Sequence, residues 1–369
     1  MKIGHPESDV KRKAKEKFGT LIGNQDLVVP DSLVVQQASS YATAIFAASL
    51  IPEHAVVADL TAGLGVNTVC FSIVSKFVYA VERDPERARA LKANLELLDI
   101  RNVSVDCIDC NEWLENFSAS LDVVFVDPSR RSGEGKKLIR LSDCSPDLEE
   151  ILPSLKEKTS RVIVKCSPLL DLTAAVREFP YIKTIYIIEY KRDVREILLD
   201  INLDYKERED TGTDVSCVVL NDNTTESVRN FSLTDRDLNN DIPFLQGKND
   251  VQPESFIYEP SPSYMKAGFW GSLIKEFPSL KKFGVNTHLF YSKKMYSNFP
   301  GRAFKINGFY SSKDLKKMRG MNFNVISRNH PASANEIASR FKLTSSETEY
   351  LIACTAGKDK LILRASKIS

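Results

Sequence analysis

The sequence predicts an α/β protein: a doubly wound, mostly parallel sheet with helices before it and an α+β region after it. Three observations carry this. From Ala55 to Tyr190 short apolar runs alternate with amphipathic stretches, the pattern of buried strands joined by crossover helices. Of the 369 residues 43% are apolar, enough for more than one buried core. The charge is also divided along the chain. Residues 261–369 hold 19 Lys and Arg against 6 Asp and Glu, whereas residues 1–260 hold 31 against 43.

Each element follows in order. Residues 1–50 read as an N-terminal helical region, in which KRKAKEKFG and SLVVQQASSYATAIFAASLI have few breakers and Pro30-Asp31-Ser32 marks a helix start. Residues 51–222 read as the sheet domain. Its strands are expected at 55–60, 77–82, 102–107, 121–127, 161–166 and 184–190, and a segment at 214–222 would add an antiparallel edge. The helices between are VNTVCFSIVSK, PERARALKANLELL, SPDLEEILPSLKEK and DLTAAVREF. Residues 223–255 are polar and turn-rich, as in a linker or a long decorated loop. Two short α+β units then follow, 256–298 and 299–369. A continuous helix is expected over MKAGFWGSLIKEF, and EYLIACTA and KLILRAS would pair as a hairpin across Gly357-Lys358-Asp359.

Composition also excludes. No run of 18 apolar residues exists to cross a membrane, and MKIGHPESDVKRKAKEKFG lacks the apolar core of a signal peptide. Seven cysteines, sparse and odd in number, argue against a disulfide scaffold and for a reduced cytoplasm. An acidic body with a basic C-terminal part points to a polyanion such as RNA, because clustered Lys and Arg release counterions from phosphates. The plainer reading is a solvated basic surface.

The motif Asp59-Leu-Thr61-Ala62-Gly63-Leu-Gly65 follows a strand and opens a helix. Gly63 and Gly65 permit positive φ and a close ligand approach, and the helix points its positive end at the same place. A nucleotide-like ligand at a topological switch point is the expected occupant. Glu82 ends the second strand, 17 residues after Gly65, where it would accept from ribose hydroxyls. Asp109 follows the third strand, where it would accept from an adenine amino group. Asp59 either organises the loop or meets the ligand's ammonium through water. Asp127-Pro128 ends the fourth strand. This spacing resembles class I S-adenosylmethionine-dependent methyltransferases, with a Rossmann-like sheet. A dinucleotide fingerprint would have a third glycine where this chain has Thr68.

Asp127-Pro128-Ser129-Arg130-Arg131 is the sharpest motif. Asp127 and the carbonyl beside Pro128 would face the donor methyl group and suit an exocyclic amine or a base edge. Many nucleic-acid amino methyltransferases carry two prolines and an aromatic here; this chain has Ser129 and Arg130. Arg130 and Arg131 would stack on a base or clamp a phosphate, or else pair with Asp143 or Asp147. Lys165 is a candidate for a substrate anion. Cys166-Ser-Pro168 resembles the Cys-x-Pro of RNA uracil-C5 methyltransferases, making Cys166 a candidate nucleophile; the competing role is a small buried residue. Cys107-x-x-Cys110 lacks a second ligand pair for zinc and reads as packing, so no metal is expected. In SKDLKKMRG, Lys313, Lys316 and Lys317 share a helical face suited to phosphates.

Across nearly its whole length the chain resembles a family found in Bacteroidetes. The resemblance rests on S-x-x-x-x-Q-A-S-S (32–40), D-L-T-A-G-L-G, D-P-S-R-R, R-L-S-D-C-S-P-D, K-C-S-P-L-L-D, Y-E-P-S-P-S-Y-M-K-A-G (258–268), N-T-H-L-F (286–290), F-P-G-R-A-F (299–304) and V-I-S-R-N-H-P (325–331). The first motif is also similar to the trimethylguanosine synthase group. The family resemblance implies a class I methyltransferase domain, a ferredoxin-like segment at 256–298 and a THUMP-like domain at 299–369. It implies S-adenosylmethionine as methyl donor and transfer or ribosomal RNA as substrate, captured by the basic C-terminal region. The alternative is a small-molecule or protein methyltransferase whose C-terminal region serves dimerisation.

Overall fold

The computed structural model describes residues 6–23, 26–130, 144–204, 212–222 and 224–368. The chain divides into two compact units, 1–232 and 233–369. No described helix is long and apolar enough to cross a membrane.

The first unit opens with three helices, α1 (Pro6–Phe18), α2 (Ser32–Gln37) and α3 (Tyr41–Ser49). Asp31 and Ser40 start the last two by accepting from the amides of Val34 and Thr43. On α1 a stripe of Val10, Ala14 and Phe18 turns inward, and Phe18, Val34, Val35 and Ala44 join the core of the sheet. There follow β1 (Val56–Asp59), α4 (Val66–Val74), β2 (Phe77–Val81), α5 (Pro85–Leu97), β3 (Val103–Asp106), α6 (Cys110–Asn116) and β4 (Val123–Val126). Next come a two-residue pair, β5 (Ser129–Arg130) and β6 (Cys144–Ser145), then α7 (Leu148–Lys156), β7 (Arg161–Cys166), α8 (Leu172–Glu178), β8 (Ile182–Tyr190), β9 (Asp193–Asn202), β10 (Asp214–Leu220) and β11 (Thr225–Ser232). Asp84, Asp109, Asp147 and Asp171 cap α5, α6, α7 and α8, so four helices begin on the same chemistry.

Among the described residues the sheet order is β11-β10-β8-β9-β7-β4-β1-β2-β3. β1, β2, β3, β4 and β7 run parallel, and the order reverses beside β1, where β2 lies on one side and β4 on the other. Runs such as VVFV are buried residue by residue, as strands covered on both faces require.

The structure changes several expectations in this unit. β9 was not expected; it inserts antiparallel between β7 and β8. Its turn from β8 is Lys191-Arg192, with φ of 53° and 59°, a left-handed pair built without the Gly or Asn that usually signals such a hairpin. β10 runs parallel to β8 rather than antiparallel, and β11 forms the edge beyond it. The supposed linker at 223–255 therefore begins with a strand of the first sheet, and its Leu245 and Val251 belong to the second core.

The second unit comprises β12 (Phe256–Pro260), α9 (Pro262–Ala267), α10 (Trp270–Glu276), β13 (Lys281–Gly284), β14 (Thr287–Ser292), β15 (Gly301–Phe309), α11 (Ser312–Lys317), β16 (Asn324–Arg328), α12 (Ala334–Phe341), β17 (Glu349–Ala356) and β18 (Asp359–Lys367). The helix expected over MKAGFWGSLIKEF is broken at Gly268, which takes φ of 74° as the cap of α9. β17 and β18 pair as expected, with Ala356 opposite Asp359. The strands form one sheet, β13-β14-β12-β15-β18-β17-β16. Residues 256–298 and 299–369, expected as two domains, share this sheet, because β12 pairs with β15 through Glu259 and Arg302.

Candidate functional site

At the carboxyl end of β1 the chain turns through Thr61, Ala62, Gly63, Leu64 and Gly65 into α4. Gly63 and Gly65 have φ of 54° and 88°. Gly65 needs to be glycine twice over: its φ is left-handed, and a Cβ there would lie 2.2 Å from Leu91 Cδ1. The Gly63 amide donates to Glu82 Oε2 at 2.8 Å, and the Asp84 amide donates to Glu82 Oε1 at 2.9 Å. Glu82 thus ties the glycine turn to the end of β2. Each of its oxygens keeps a second lone pair for a ligand hydroxyl.

Asp59 lies beneath this loop at 1% exposure. It accepts from Thr68 Oγ1 at 2.6 Å and from the Thr61 amide. Burial pushes its carboxyl up to about 7. Asp59 does not itself line the cavity, and its bonds to Thr61 and Thr68 organise the loop, the first of its two expected roles. Thr61, Ala62, Gly63, Gly65, Glu82 and Asp109 do line the cavity, whose empty volume is about 1050 Å³ and opens to solvent. Asp109 is exposed there while its carboxylate caps α6 through the Asn111 amide.

Sequence reasoning missed one wall of this cavity. Val34, Gln37, Ala38 and Ser39 come from α2 and the segment after it. The signal was present as the S-x-x-x-x-Q-A-S-S stretch, which marked a resemblance without indicating a role. Asp31 fixes this wall by capping α2 and pairing with Arg87 on α5 at 3.1 Å.

A second cavity, with an empty volume of about 2910 Å³, adjoins the first. Gln37, Ala38, Ser39, Asp127 and Ser129 line both. Asp127 thus sits where the two meet. Its backbone amide donates to Thr61 Oγ1 at 2.6 Å, which fixes the end of β4 against the glycine turn. Its Oδ2 lies 2.5 Å from Lys165 Nζ. Lys165 also donates to Ser39 Oγ at 3.0 Å, and Ser39 donates to Glu196 Oε2 at 3.1 Å. Glu196 belongs to β9, so the unforeseen strand supplies part of the site.

Burial alone would lower the Lys165 ammonium, but Asp127 and Glu196 outweigh it and hold it above the ordinary lysine range. Burial raises Glu196, partly opposed by Lys165. Lys165 was expected to meet a substrate anion. Its ammonium is engaged by Asp127 and Ser39, which positions it to hold Asp127. Pro128 lines the second cavity beside it.

Cys166 lines the second cavity too, but burial, then Cys144 and Asp127, push its thiol well above the usual range. These surroundings favour the neutral thiol over the thiolate that a nucleophile needs. Cys107 is exposed and Cys110 buried. Among the described residues no three His, Cys, Asp or Glu side chains gather to hold a metal. Arg130 pairs through its backbone with Cys144. Arg131 and its suggested partner Asp143 lie outside the described residues. Lys313, Lys316 and Lys317 are in the second unit, all three exposed on α11.

Comparison with known proteins follows the same division. Residues 256–300 match the model of a ferredoxin-like domain family. The crystal structure of a proposed methyltransferase from Porphyromonas gingivalis W83 superposes with a TM-score of 0.85 at 24% identity, covering 98% of this chain and 89% of that one. At that identity the likeness establishes the fold. A protein named as a cobalt-precorrin-6B C(15)-methyltransferase (decarboxylating), from Sulfolobus acidocaldarius, is 28% identical over 122 residues, 33% of this chain and 54% of its own. An uncharacterised protein of Acanthamoeba polyphaga mimivirus is 31% identical over 114 residues, 30% of this chain and 44% of its own. The chain spans about half the length of these two relatives. Along almost its whole length it shares the fold of the Porphyromonas protein, a methyltransferase-type α/β sheet followed by a ferredoxin-like domain.

Proposed function

We propose that the chain is an S-adenosylmethionine-dependent methyltransferase acting on an RNA base in the cytoplasm. The observation that carries this is the meeting of two cavities at Asp127, at the carboxyl ends of the parallel strands. Two reactants brought together there would share one carboxylate between them.

The first cavity suits the cofactor. Glu82 has acceptor capacity for ribose hydroxyls, Asp109 for an adenine amino group, and the Gly63–Gly65 turn lets a ligand approach the backbone. When bound, the cofactor supplies an electrophilic methyl group. The chain's own residues do the rest. Thr61 fixes the backbone of Asp127, and Lys165 takes its Oδ2, so Oδ1 retains acceptor capacity for an N–H of the methylated group. Pro128 adds rigidity, and Arg130 would contact the RNA. The basic second unit, with 299–369 as a THUMP-like part and Lys313, Lys316 and Lys317 on α11, would bind RNA phosphates. A small-molecule acceptor is the second reading, favoured by the Sulfolobus relative's name.

The test is twofold. Calorimetry should show S-adenosylmethionine binding the wild-type chain more tightly than NADH; the reverse order removes the proposal. Asp127→Ala should keep cofactor affinity and lose about a hundredfold or more in single-turnover methylation of RNA, as expected when an oriented proton acceptor is removed.

A further inference from the structure

The second cavity contains a cationic stripe with no role in the scheme above. Along α1, Val10, Ala14 and Phe18 face the core. One flank of that stripe carries Lys11 and Lys15, and Lys15 pairs with Asp26 at 3.1 Å. The other flank carries Lys13 and Lys17, one turn apart, and both line the second cavity. Lys17 Nζ donates to the Ala38 carbonyl at 2.5 Å. Ala38 lies where the two cavities meet, so this ammonium stands beside the Asp127 site.

The carboxylates of this cavity each have a partner, although Glu196 Oε1 is buried with no hydrogen bond among the described residues. Glu16 pairs with Arg12, Asp127 with Lys165, Asp222 with Lys191, and Glu196 accepts from Ser39. Among the described residues neither Lys13 nor Lys17 has a carboxylate within ion-pair distance. Lys17 is half-buried, and burial together with Lys165 and Arg195 works against its charge, with only Glu196 opposing. An anion from outside the chain would offset these effects and favour its charged form. An ammonium with two donors left, flanked by a second one a helical turn away, suits a phosphate, which lysine binds as a point charge.

We infer that Lys13 and Lys17 of α1 form a phosphate subsite in the acceptor cavity, which holds the phosphodiester next to the target nucleotide. The inference rests on the methyltransferase reading only for the identity of the acceptor. It assigns the sequence-independent contact nearest the chemistry to the acidic first unit, not to the basic C-terminal part.

The test uses the full chain and a single-stranded RNA oligonucleotide of mixed sequence, with binding read by fluorescence anisotropy at two salt concentrations. Lys13→Gln/Lys17→Gln should weaken binding by about tenfold and reduce the slope of log K against log salt by about 1.4, at about 0.7 per phosphate contact on a single strand. Lys11→Gln/Lys15→Gln, which removes equal charge from the opposite flank, should change binding much less. Inorganic phosphate should compete with the oligonucleotide on wild type and on the Lys11/Lys15 variant, and acetate at equal ionic strength should not. Equal losses in the two double variants, no loss in either, or no RNA binding by wild type would each overturn the subsite. Calorimetry with S-adenosylmethionine on the same variants keeps the readings apart. A loss of cofactor binding in wild type removes the methyltransferase reading and leaves the phosphate result standing by itself.

Discussion

Each unit of the chain buries carboxylates among cations, and the two clusters are built differently. In the first unit the Lys165 ammonium pairs with Asp127 and reaches Glu196 through the Ser39 hydroxyl, beside open cavities. In the second unit the single carboxylate of Glu259, 1% exposed, accepts from two guanidinium groups, Arg302 Nε and Arg328 Nη2, each at 2.8 Å. Arg302 further stacks over the rings of Phe304 and Tyr350. A planar fork held on both sides is preorganised and static, whereas a lysine on a flexible stem beside a cavity leaves acceptor capacity for a ligand. Burial of charge therefore does not by itself mark a functional site; the adjoining space and the incomplete pairing do.

The Glu259 cluster also explains several sequence motifs that carried no role. Y-E-P-S-P-S supplies Glu259, F-P-G-R-A-F supplies Arg302 and V-I-S-R-N-H-P supplies Arg328. Arg328 lies on β16, four strands from β12 in the sheet order, so the sheet curls until its ends approach. Thr287 on β14, which donates to the Thr355 carbonyl on β17 and accepts from Asn329, closes the same seam. These motifs are the joints of a coiled sheet.

The contrast can be broken first at Glu259. Glu259→Ala leaves two guanidinium groups without their carboxylate and should cost on the order of 3 kcal/mol in urea unfolding, toward the low end for a broken buried pair because Arg328 is partly hydrated. A loss within error of zero would mean that the clamp is not what joins the strands.

Asp59 sharpens the first unit's side. Its folded carboxyl is raised to about 7 against an ordinary 3.8. A raised acid stabilises the fold fully below its unfolded pKa, and that contribution is lost as pH climbs from about 4 through about 7. The wild-type unfolding free energy should therefore decline across this window more than that of Asp59→Asn, by at most about 1.4 kcal/mol per pH unit. Parallel pH profiles for the two would refute the assignment.

Lys313, Lys316 and Lys317 test the second unit's surface against its core. Changing all three to Glu should leave the melting temperature unchanged, because exposed charges contribute little. RNA binding should weaken, and its salt slope should flatten by up to about three. Unchanged binding at two salt concentrations would remove α11 from the RNA face. The smallest effect is expected at Cys166: Cys166→Ala should keep wild-type turnover, and a loss of turnover together with loss of a covalent adduct to 5-fluoropyrimidine RNA would restore the nucleophile.

What the sequence determined by itself was local. Apolar runs bounded by turns located β1 to β4, β7 and β8, and amphipathic stretches located α4, α5, α7 and α8, because both signals are written in a few neighbouring residues, whereas the short α6 was not expected. The glycine turn, Glu82, Asp109 and Asp127 were legible for the same reason: each stands at a strand end, and strand ends of a parallel sheet converge on one edge. β9 was not legible, since its tight turn is made by Lys191-Arg192 in left-handed conformations that ordinary residues seldom signal. With β9 went Glu196. The partners of charged side chains were beyond sequence altogether. Lys165 meets Asp127, Ser39 and Lys17 approach it from the N-terminal helices, and Asp59 withdraws beneath the loop it appeared to share with a ligand. Such pairings depend on which distant segments pack together and on how much water they leave between charges, and only the tertiary structure decides that.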